Sequence, residues 1–547
     1  MILSVLAGLV VVAVVILLSV PGSGSQPHRM ESMFQDDQYL LYEPPDAVVR
    51  TLDALSSLGV DRLRVQVLWR AIAPGQDSLT KPAGFDASNP TDYPATGWAP
   101  YDRLVALARA RGIAVDFNVT APGPLWAMGR PLPPGADSKA AHHFRPSAAD
   151  FAQFVTAVGR RYSGSYTPSG ATGPLARVSY WTIWNEPNQP GWLLPQWSRQ
   201  GGQPVMEAPS LYRDYADAAF GALRGTGHGV ATDTILIGEL APEGADSFDP
   251  STKSFGPITR STAPIAPLRF VQALYCVDAS YRPLRGALAG LLHCPTDGSA
   301  QAFVAAHPAL FQATGFAHHP YSFFLAPGVD TSPSDPDFVS LIDLPRLEHG
   351  LDRTFAAYGV GRQLPIYLTE YGYETDPPNP FKGRFSPSQQ ALFLNQAQYM
   401  AWKDPRVRSL SQFLLVDSLP DTRYPRGSVK YWSTFQTGLL YASGALKPAF
   451  NAYRLPIFIP DPTFAGGQPT SIWGMLRAAP NNTHQRAQIQ WRGPGGVYRT
   501  LRTVSIDDPS GFLSVRVQLP GIGAVRITWV SPSGRVVHSR AVGIRGA

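Results

Sequence analysis

Residues 178–187 read Val-Ser-Tyr-Trp-Thr-Ile-Trp-Asn-Glu-Pro, an apolar run that ends abruptly at Asn185 and Glu186. A short apolar run bounded by turn residues is typical of a buried strand. Segments with helical spacing of apolar residues lie on both sides, at 147–162 and 210–224. A strand between two helices is the unit from which parallel sheets are built.

The same alternation extends in both directions along the chain. Eight strands are predicted, each followed by helical segments, at 33–42, 61–69, 113–119, 178–184, 234–240, 314–319, 364–370 and 410–416. No Gly-x-Gly-x-x-Gly fingerprint follows the first strand, so a dinucleotide-binding sheet has little support. Eight units favour a closed (β/α)₈ TIM barrel, with a helix at 446–453 completing the ring.

Loop lengths support the same fold. The long irregular segments follow the strands, for example at 120–146, 185–209 and 320–345. Most links from helix to strand are short, with 163–177 as an exception. In a (β/α)₈ barrel the loops after the strands form the face that carries the active site.

The chain divides into three predicted parts. Residues 1–25 form a signal peptide or an N-terminal membrane anchor, and residues 30–455 form the barrel. Residues 456–547 alternate between apolar and polar positions in short runs, which predicts a small antiparallel β-sandwich. This sandwich is expected to pack on the barrel as support. A carbohydrate-binding role remains open for it, although no row of aromatic residues favours that role.

Export is predicted from the apolar run at residues 2–20, which is long enough to span a bilayer. The run lacks preceding basic residues and an obvious cleavage site, so cleavage and anchoring both remain open. The remainder of the chain is expected outside the cytoplasm. In that setting Cys276 and Cys294, the only two cysteines, are a candidate disulfide.

The composition limits the partners. The 547 residues carry a net charge of +6 with scattered basic residues, so neither nucleic acid nor a lipid-headgroup patch is indicated. Two cysteines exclude a zinc site built of four cysteines. No protein partner can be inferred.

Two glutamates carry the candidate chemistry. Glu186 ends the fourth predicted strand, and Glu370 ends the seventh after Pro-Ile-Tyr-Leu-Thr. Both should face the same end of the barrel, where apolar surroundings suit a general acid. Retaining glycosidases need two carboxyl groups about 5–5.5 Å apart, one to protonate the leaving oxygen and one to attack the anomeric carbon.

This pattern resembles the clan of retaining (β/α)₈ glycoside hydrolases that contains family 5 (cellulase-like) and family 39 (β-xylosidase-like). The resemblance rests on Asn185-Glu186-Pro187 after strand four and on Glu370 after strand seven. It implies hydrolysis of a β-linked oligo- or polysaccharide, or of a β-glycoside, without a cofactor, with Glu186 as acid/base and Glu370 as nucleophile.

The resemblance also implies substrate-site residues. Asn185 matches the residue that binds the sugar 2-hydroxyl, and Arg64 matches the strand-two arginine that contacts the nucleophile. His319 and Tyr321 match the pair after strand six, with Tyr321 bonded to the nucleophile. The chain departs from the pattern at strand eight, where no tryptophan is found, and Trp432 on the next loop is the candidate replacement.

Several alternatives remain open. Glu239, at the end of the fifth strand, could be catalytic, structural or part of an outer subsite. His318 and His319 could be metal ligands, although no third ligand has a recognisable spacing, so no metal is expected. Trp126, Trp192 and Trp197 could contact sugar or pack within loops. The protein could also be a catalytically inactive carbohydrate-binding surface protein, or a transglycosylase with the same site.

Overall fold

The computed structural model describes residues 30–131, 139–245, 263–330 and 334–546. The predicted signal peptide or anchor at residues 1–25 lies outside these ranges. Within them, no helix is both long enough and apolar enough to cross a bilayer.

Eight parallel strands close into a barrel, which confirms the predicted fold. Each strand pairs with its neighbours in chain order, and the eighth pairs with the first. The barrel strands are β1 (Glu31–Gln35), β2 (Arg62–Leu68), β3 (Ala114–Thr120), β4 (Tyr180–Ile183), β5 (Thr234–Leu240), β6 (Gly315–His318), β7 (Ile366–Leu368) and β8 (Val407–Phe413).

Helices surround the barrel and bury their apolar faces against it. They are α1 (Pro45–Ser57), α2 (Trp69–Ile72), α3 (Ala95–Ala110), α4 (Ala148–Arg161), α5 (Ala208–Gly225), α6 (Pro267–Leu274), α7 (Gly286–Leu291), α8 (Ala300–Ala306), α9 (Pro308–Gln312), α10 (Leu344–Ala357), α11 (Pro387–Lys403) and α12 (Pro448–Arg454). Several begin at a capping residue. Ser147 accepts a hydrogen bond of 3.2 Å from the Asp150 amide, and Ser386 forms a reciprocal capping box with Gln389.

Two predicted strands are misplaced. The first ends at Gln35, and Gln38–Tyr42 forms a π-helical turn whose Leu40 and Leu41 are buried. The eighth begins three residues earlier than predicted, because pairing with β1 places Gln35 opposite Phe413. The loop after β4 also contains a hairpin of Trp197–Gln200 and Gln203–Met206 that the sequence analysis missed.

Residues after the barrel form two mostly antiparallel sheets. The strands are β9 (Ile457–Phe458), β10 (Thr463–Phe464), β11 (Pro469–Met475), β12 (Gln485–Arg492), β13 (Arg499–Ile506), β14 (Phe512–Gln518), β15 (Gly523–Val530), β16 (Val536–His538) and β17 (Val542–Gly546). One sheet has the order β9-β11-β14; the other has the order β10-β17-β15-β12-β13, with β16 paired to β15.

Aromatic packing joins this β-sandwich to the barrel. Trp473 of β11 lies 5.9 Å from Trp402 and 5.8 Å from Tyr399 of α11, measured between ring centroids. A polar contact reinforces the interface, since Arg540 donates a hydrogen bond of 2.9 Å to the Asn395 side chain. The sandwich therefore shares an apolar core with the outside of the barrel.

The two cysteines are bonded in the structure. Cys276 follows α6 and Cys294 follows α7, with their Cα atoms 5.8 Å apart. Arg213 of α5 is buried beneath them and donates to the carbonyl oxygens of Leu274 at 2.9 Å and His293 at 3.1 Å. The disulfide and the hydrogen bonds of Arg213 together hold the segment 276–294 against α5.

Candidate active site

Five charged or titratable side chains converge at the carboxyl ends of the barrel strands. Arg64 lies within β2, Glu186 follows β4, Glu239 is near the end of β5, His319 follows β6 and Glu370 follows β7. The side chains of Arg64, Glu239 and His319 are fully buried, whereas 20% of Glu186 and 10% of Glu370 is exposed. The two exposed carboxylates are the ones that the sequence analysis assigned to catalysis.

Arg64 forms hydrogen bonds with several side chains of this cluster. Its Nη1 donates to Glu370 Oε1 at 2.8 Å, and its Nη2 donates to Asn185 Oδ1 at 2.6 Å and to Glu239 Oε2 at 2.5 Å. It also donates to the Gln35 side chain. Burial alone would lower the pKa of Arg64, but Glu239 and Glu370 raise it above its usual value, so the guanidinium stays charged.

His319 lies between carboxylates. Its Nδ1 is 2.9 Å from Glu186 and 3.7 Å from Glu370, and its Nε2 is 2.7 Å from Glu239. Burial would lower the pKa of His319, but the charges of Glu370 and Glu239 outweigh burial and raise it to about 10. The doubly protonated imidazolium can donate from both nitrogens, which matches this arrangement.

Tyr321 provides a second donor to Glu370. Its hydroxyl donates to Glu370 Oε2 at 3.0 Å, so Arg64 and Tyr321 each hold one oxygen of the same carboxylate. Burial and the charges of Glu370 and Glu186 raise the pKa of Tyr321 well above its usual value. The phenol therefore remains protonated and serves as a donor at neutral pH.

Glu239 reaches the site through a distorted strand. The pairing of β5 with β6 shifts register between Gly238 and Leu240, and Glu239 itself has φ of 54°. Gly238 has φ of 103°, and a Cβ there would lie 2.6 Å from the carbonyl oxygen of Ala317. Glycine is thus required beside Glu239, and the irregularity directs the carboxylate inward.

The charge of Glu239 is compensated on both sides. Burial would raise its pKa, but Arg64 and His319 hold it below the usual value. With no exposed surface, Glu239 cannot be part of an outer subsite. Its position supports the structural alternative, in which it orients Arg64 and His319.

The backbone around Glu186 is also strained. Glu186 has φ of 37° and Trp184 has φ of 69°, conformations that cost non-glycine residues about 1–3 kcal/mol each. The Glu186 amide donates to the Glu239 carbonyl at 2.9 Å, and the Asn118 side chain donates to the Trp184 carbonyl. These bonds hold Glu186 in one place at the end of β4.

The two catalytic candidates are close together. Oxygens of Glu186 and Glu370 and a ring nitrogen of His319 all lie within 4.8 Å of one another. Such a triad has the spacing of a metal site. In the structure both ring nitrogens of His319 lie within hydrogen-bond distance of carboxylates, Nδ1 of Glu186 and Nε2 of Glu239. His318 points away and bonds to the Val339 carbonyl at 2.8 Å.

Two aromatic residues of the loop after β8, Trp432 and Phe435, pack against different neighbours. The Trp432 ring packs edge-on against Tyr431 at 5.1 Å, whereas Phe435 contacts Phe413 at 5.3 Å. Phe413 ends β8 and lies 6.5 Å from Tyr321. Strand eight therefore does end in an aromatic residue, and the sequence analysis missed it because the strand was placed three residues too late.

The other loop tryptophans have structural partners. Trp126 donates its ring nitrogen to the Pro74 carbonyl at 3.0 Å, and Trp197 donates to the Ala263 carbonyl at 2.9 Å. Trp197 is also nearly fully buried. Loop packing accounts for both, while Trp192 is half-buried.

Asp37 is a further carboxylate that the sequence analysis did not single out. It is half-buried after β1, accepting from the Gln66 amide at 3.0 Å and from the Gln35 side chain at 3.2 Å. Burial raises its pKa to about 6, against the opposing effects of the Gln66 bond and the Arg64 charge. Correct placement of the end of β1 would have marked it as a residue of the active-site face.

No protein-family model matches the chain, and no curated protein matches it either. Among solved structures, it is similar to β-glucuronidase 2 of Bacteroides uniformis, with 10% identity and a TM-score of 0.41. That match covers 95% of this chain and 46% of the enzyme, so the chain spans about half its length.

Two other similar structures are comparable in length to this chain. A glucosidase of Croceicoccus marinus matches with 12% identity and a TM-score of 0.44, covering 94% of this chain and 96% of the enzyme. A β-glucosidase of Thermotoga maritima matches with 15% identity and a TM-score of 0.44, covering 78% and 97%. The closed ring of eight parallel strands defines the fold of this chain.

Proposed function

We propose that this protein hydrolyses O-glycosidic bonds of a β-linked oligo- or polysaccharide with net retention of configuration. The supporting observation is the pair Glu186 and Glu370, whose nearest oxygens lie within 4.8 Å. Inverting enzymes separate their carboxyl groups by about 6.5–9.5 Å to admit a water molecule, whereas retaining enzymes use about 5–5.5 Å. The short spacing favours attack by one glutamate on the sugar.

Glu370 is the proposed nucleophile. Arg64 and Tyr321 donate one hydrogen bond to each of its oxygens, an arrangement complementary to a charged carboxylate. The donors also fix its orientation, which is what attack on an anomeric carbon requires. In the first step Glu370 forms a bond to that carbon as the bond to the leaving oxygen breaks.

Glu186 is the proposed acid/base. Glu186 bonds to His319 at 2.9 Å, whereas Arg64 donates to Glu239 and Glu370. It is also the most exposed of the three glutamates. It would protonate the leaving oxygen in the first step. In the second step it would accept a proton from water as the water oxygen bonds to the anomeric carbon and the bond from that carbon to Glu370 breaks.

Asn185 is a proposed contact for the sugar hydroxyl beside the reacting carbon. Its Oδ1 accepts from Arg64 at 2.6 Å, which determines which end of the amide is free. The Nδ2 group is left to donate to an oxygen of the substrate. Such a bond can strengthen as charge develops on the sugar in the transition state.

We also propose that the protein acts outside the cytoplasm, either secreted or anchored by its N-terminal segment. Two features support this location. Residues 2–20 form an apolar run, and Cys276 and Cys294 are bonded, as is common in oxidising compartments.

The experiment that tests the proposed function is turnover of a panel of aryl β-glycosides and β-linked polysaccharides, with the anomer of the first product identified by proton NMR. The protein should cleave at least one substrate and release the β-anomer first. Release of the α-anomer would refute the retaining mechanism. Glycan binding without any cleavage would instead identify an inactive binding protein.

A further inference from the structure

The net positive charge of the protein lies in the β-sandwich, where basic residues are scattered as elsewhere but few carboxylates balance them. Residues 456–547 contain ten arginines and three aspartates, with no lysine and no glutamate. This segment therefore carries a formal charge of +7, and residues 1–455 carry −1. A scattered surface charge that served only solubility would be shared between the two parts.

Part of this charge lies on one exposed sheet surface. Side chains alternate across a strand, and Ala487, Ile489 and Ile527 of β12 and β15 are buried in the sandwich core. Their neighbours face the other way. We call the resulting surface the outer sheet face. It consists of Gln488, Gln490, Arg492, Thr500 and Arg526, together with Tyr498, which precedes β13 and lies against both arginines.

The outer sheet face carries uncompensated cations. Among the residues that the structure describes, no carboxylate oxygen lies within 4 Å of the guanidinium groups of Arg492 or Arg526. Both guanidinium groups instead lie near the Tyr498 ring, with Arg526 3.9 Å and Arg492 4.9 Å from its centroid. Stacking on the ring holds the two charges side by side at the surface.

A row of neutral hydrogen-bonding groups adjoins the cations. Gln488 Oε1 accepts from Gln490 at 3.0 Å and from Thr500 at 3.1 Å, and Gln490 Oε1 accepts from Arg526 at 2.9 Å. These bonds order the amides, so their remaining donors and acceptors are presented in a fixed arrangement. The surface thus combines ordered cations with ordered groups suited to hydroxyls.

We propose that the outer sheet face binds an acidic polysaccharide, a polymer that bears both carboxylates and hydroxyl groups. Arginine matches a carboxylate with two parallel hydrogen bonds, and glutamine and threonine can exchange hydrogen bonds with hydroxyls. Phosphate polymers and lipid headgroups would need the arginines but not the glutamine row. This site is separate from the catalytic pocket, and its occupation does not depend on turnover.

The test measures binding of the full chain carrying Glu370→Gln to immobilised polygalacturonate. Adding Arg492→Gln and Arg526→Gln should raise the Kd by about tenfold or more, because charge-assisted bonds are lost. The matched control removes equal charge elsewhere on the sandwich, through Arg516→Gln and Arg535→Gln, both exposed. It should change the Kd by less than about twofold. An equal loss in both variants, or no binding at all, would overturn the proposal.

A second variant separates acidic polysaccharide from other polyanions. Gln488→Ala with Thr500→Ala removes hydroxyl partners without changing the charge. It should weaken binding of polygalacturonate and leave binding of duplex DNA and phosphatidylserine vesicles unchanged. If this variant binds polygalacturonate as tightly as its parent does, the glutamine row does not recognise hydroxyls and the proposal is wrong. If DNA or vesicles bind more tightly than polygalacturonate through the same arginines, the surface recognises phosphate and the proposal is also wrong.

Discussion

Arg64 and Glu239 form an ion pair of 2.5 Å in which neither side chain has any exposed surface. Two charges removed from water are costly unless each is fully compensated. Here Arg64 also donates to Gln35, Asn185 and Glu370, and Glu239 contacts His319. Among the described residues, Arg64 Nε and Glu239 Oε1 have no hydrogen-bond partner, so the compensation is large but incomplete. This buried ion pair therefore positions Glu370, Asn185 and His319, which all bond to it.

Glu239→Gln should lower the stability of the protein and reduce kcat, while both proposed steps of the reaction still occur. The substitution leaves Arg64 and His319 with less negative charge around them, at a cost of about 3–5 kcal/mol or less, since glutamine keeps some hydrogen bonds. Both Tm and kcat should fall, and added azide should not restore turnover. Glu243→Gln, on the exposed loop after β5, is the control. Rescue by azide would show that Glu239 acts directly on the substrate.

Tyr321→Phe should impair catalysis much more than stability. The hydroxyl donates to Glu370 at 3.0 Å, and its removal leaves the nucleophile with Arg64 as its main donor. A drop in kcat of about 10- to 1000-fold is expected, with a small change in Tm. Steady-state kinetics and thermal unfolding of the same preparation check this. An unchanged kcat would show that the Tyr321 hydroxyl does not contribute to catalysis.

The free energy of unfolding should decrease as the pH rises above 6.5. The pKa of His319 is about 10 in the folded protein and near 6.5 when unfolded, so the folded state binds more protons between these values. The contribution is complete below pH 6.5 and is lost as the pH approaches 10. Urea unfolding at pH 7 and at pH 9.5 measures it. His319→Gln should flatten this dependence, and an equally steep dependence in the variant would contradict the assignment.

Breaking the disulfide should lower stability without changing the chemistry. Cys276 and Cys294 are 18 residues apart, and closing a loop of this size contributes about 3 kcal/mol in the chain-entropy description. Cys276→Ser with Cys294→Ser should therefore reduce Tm measurably, while KM and kcat at low temperature stay near those of the parent. Reducing agent should have the same effect on the wild type and none on the variant.

Much of the barrel could be predicted because its strands are apolar and its helices periodic. β5 was placed correctly at both ends, and β2 within one residue. β11 has a weaker strand pattern because Pro469 and Gly474 interrupt it, although it packs against the barrel. β1 was extended through Leu40 and Leu41, since a buried helical turn and a buried strand look alike over a few residues.

The candidate site was predictable to the extent that it follows strand ends. Glu186, Glu370, Arg64 and Tyr321 meet as the resemblance implied. What could not be predicted is the ion network, because the contact of Arg64 with Glu239 depends on a strand irregularity at Gly238. Strand eight was placed three residues too late for a related reason. Its bounds are set by hydrogen bonding with β1, and the sequence of β8 alone does not reveal that pairing.

The most direct test of the proposed roles is the reaction of Glu186→Ala and Glu370→Ala with an activated aryl β-glycoside in the presence of azide. If Glu186 is the acid/base and Glu370 the nucleophile, azide should restore Glu186→Ala and yield the β-glycosyl azide. Glu370→Ala should then be inactive alone and give only the α-glycosyl azide. The opposite pairing of anomers, or substantial turnover by Glu370→Ala without azide, would contradict the assignment.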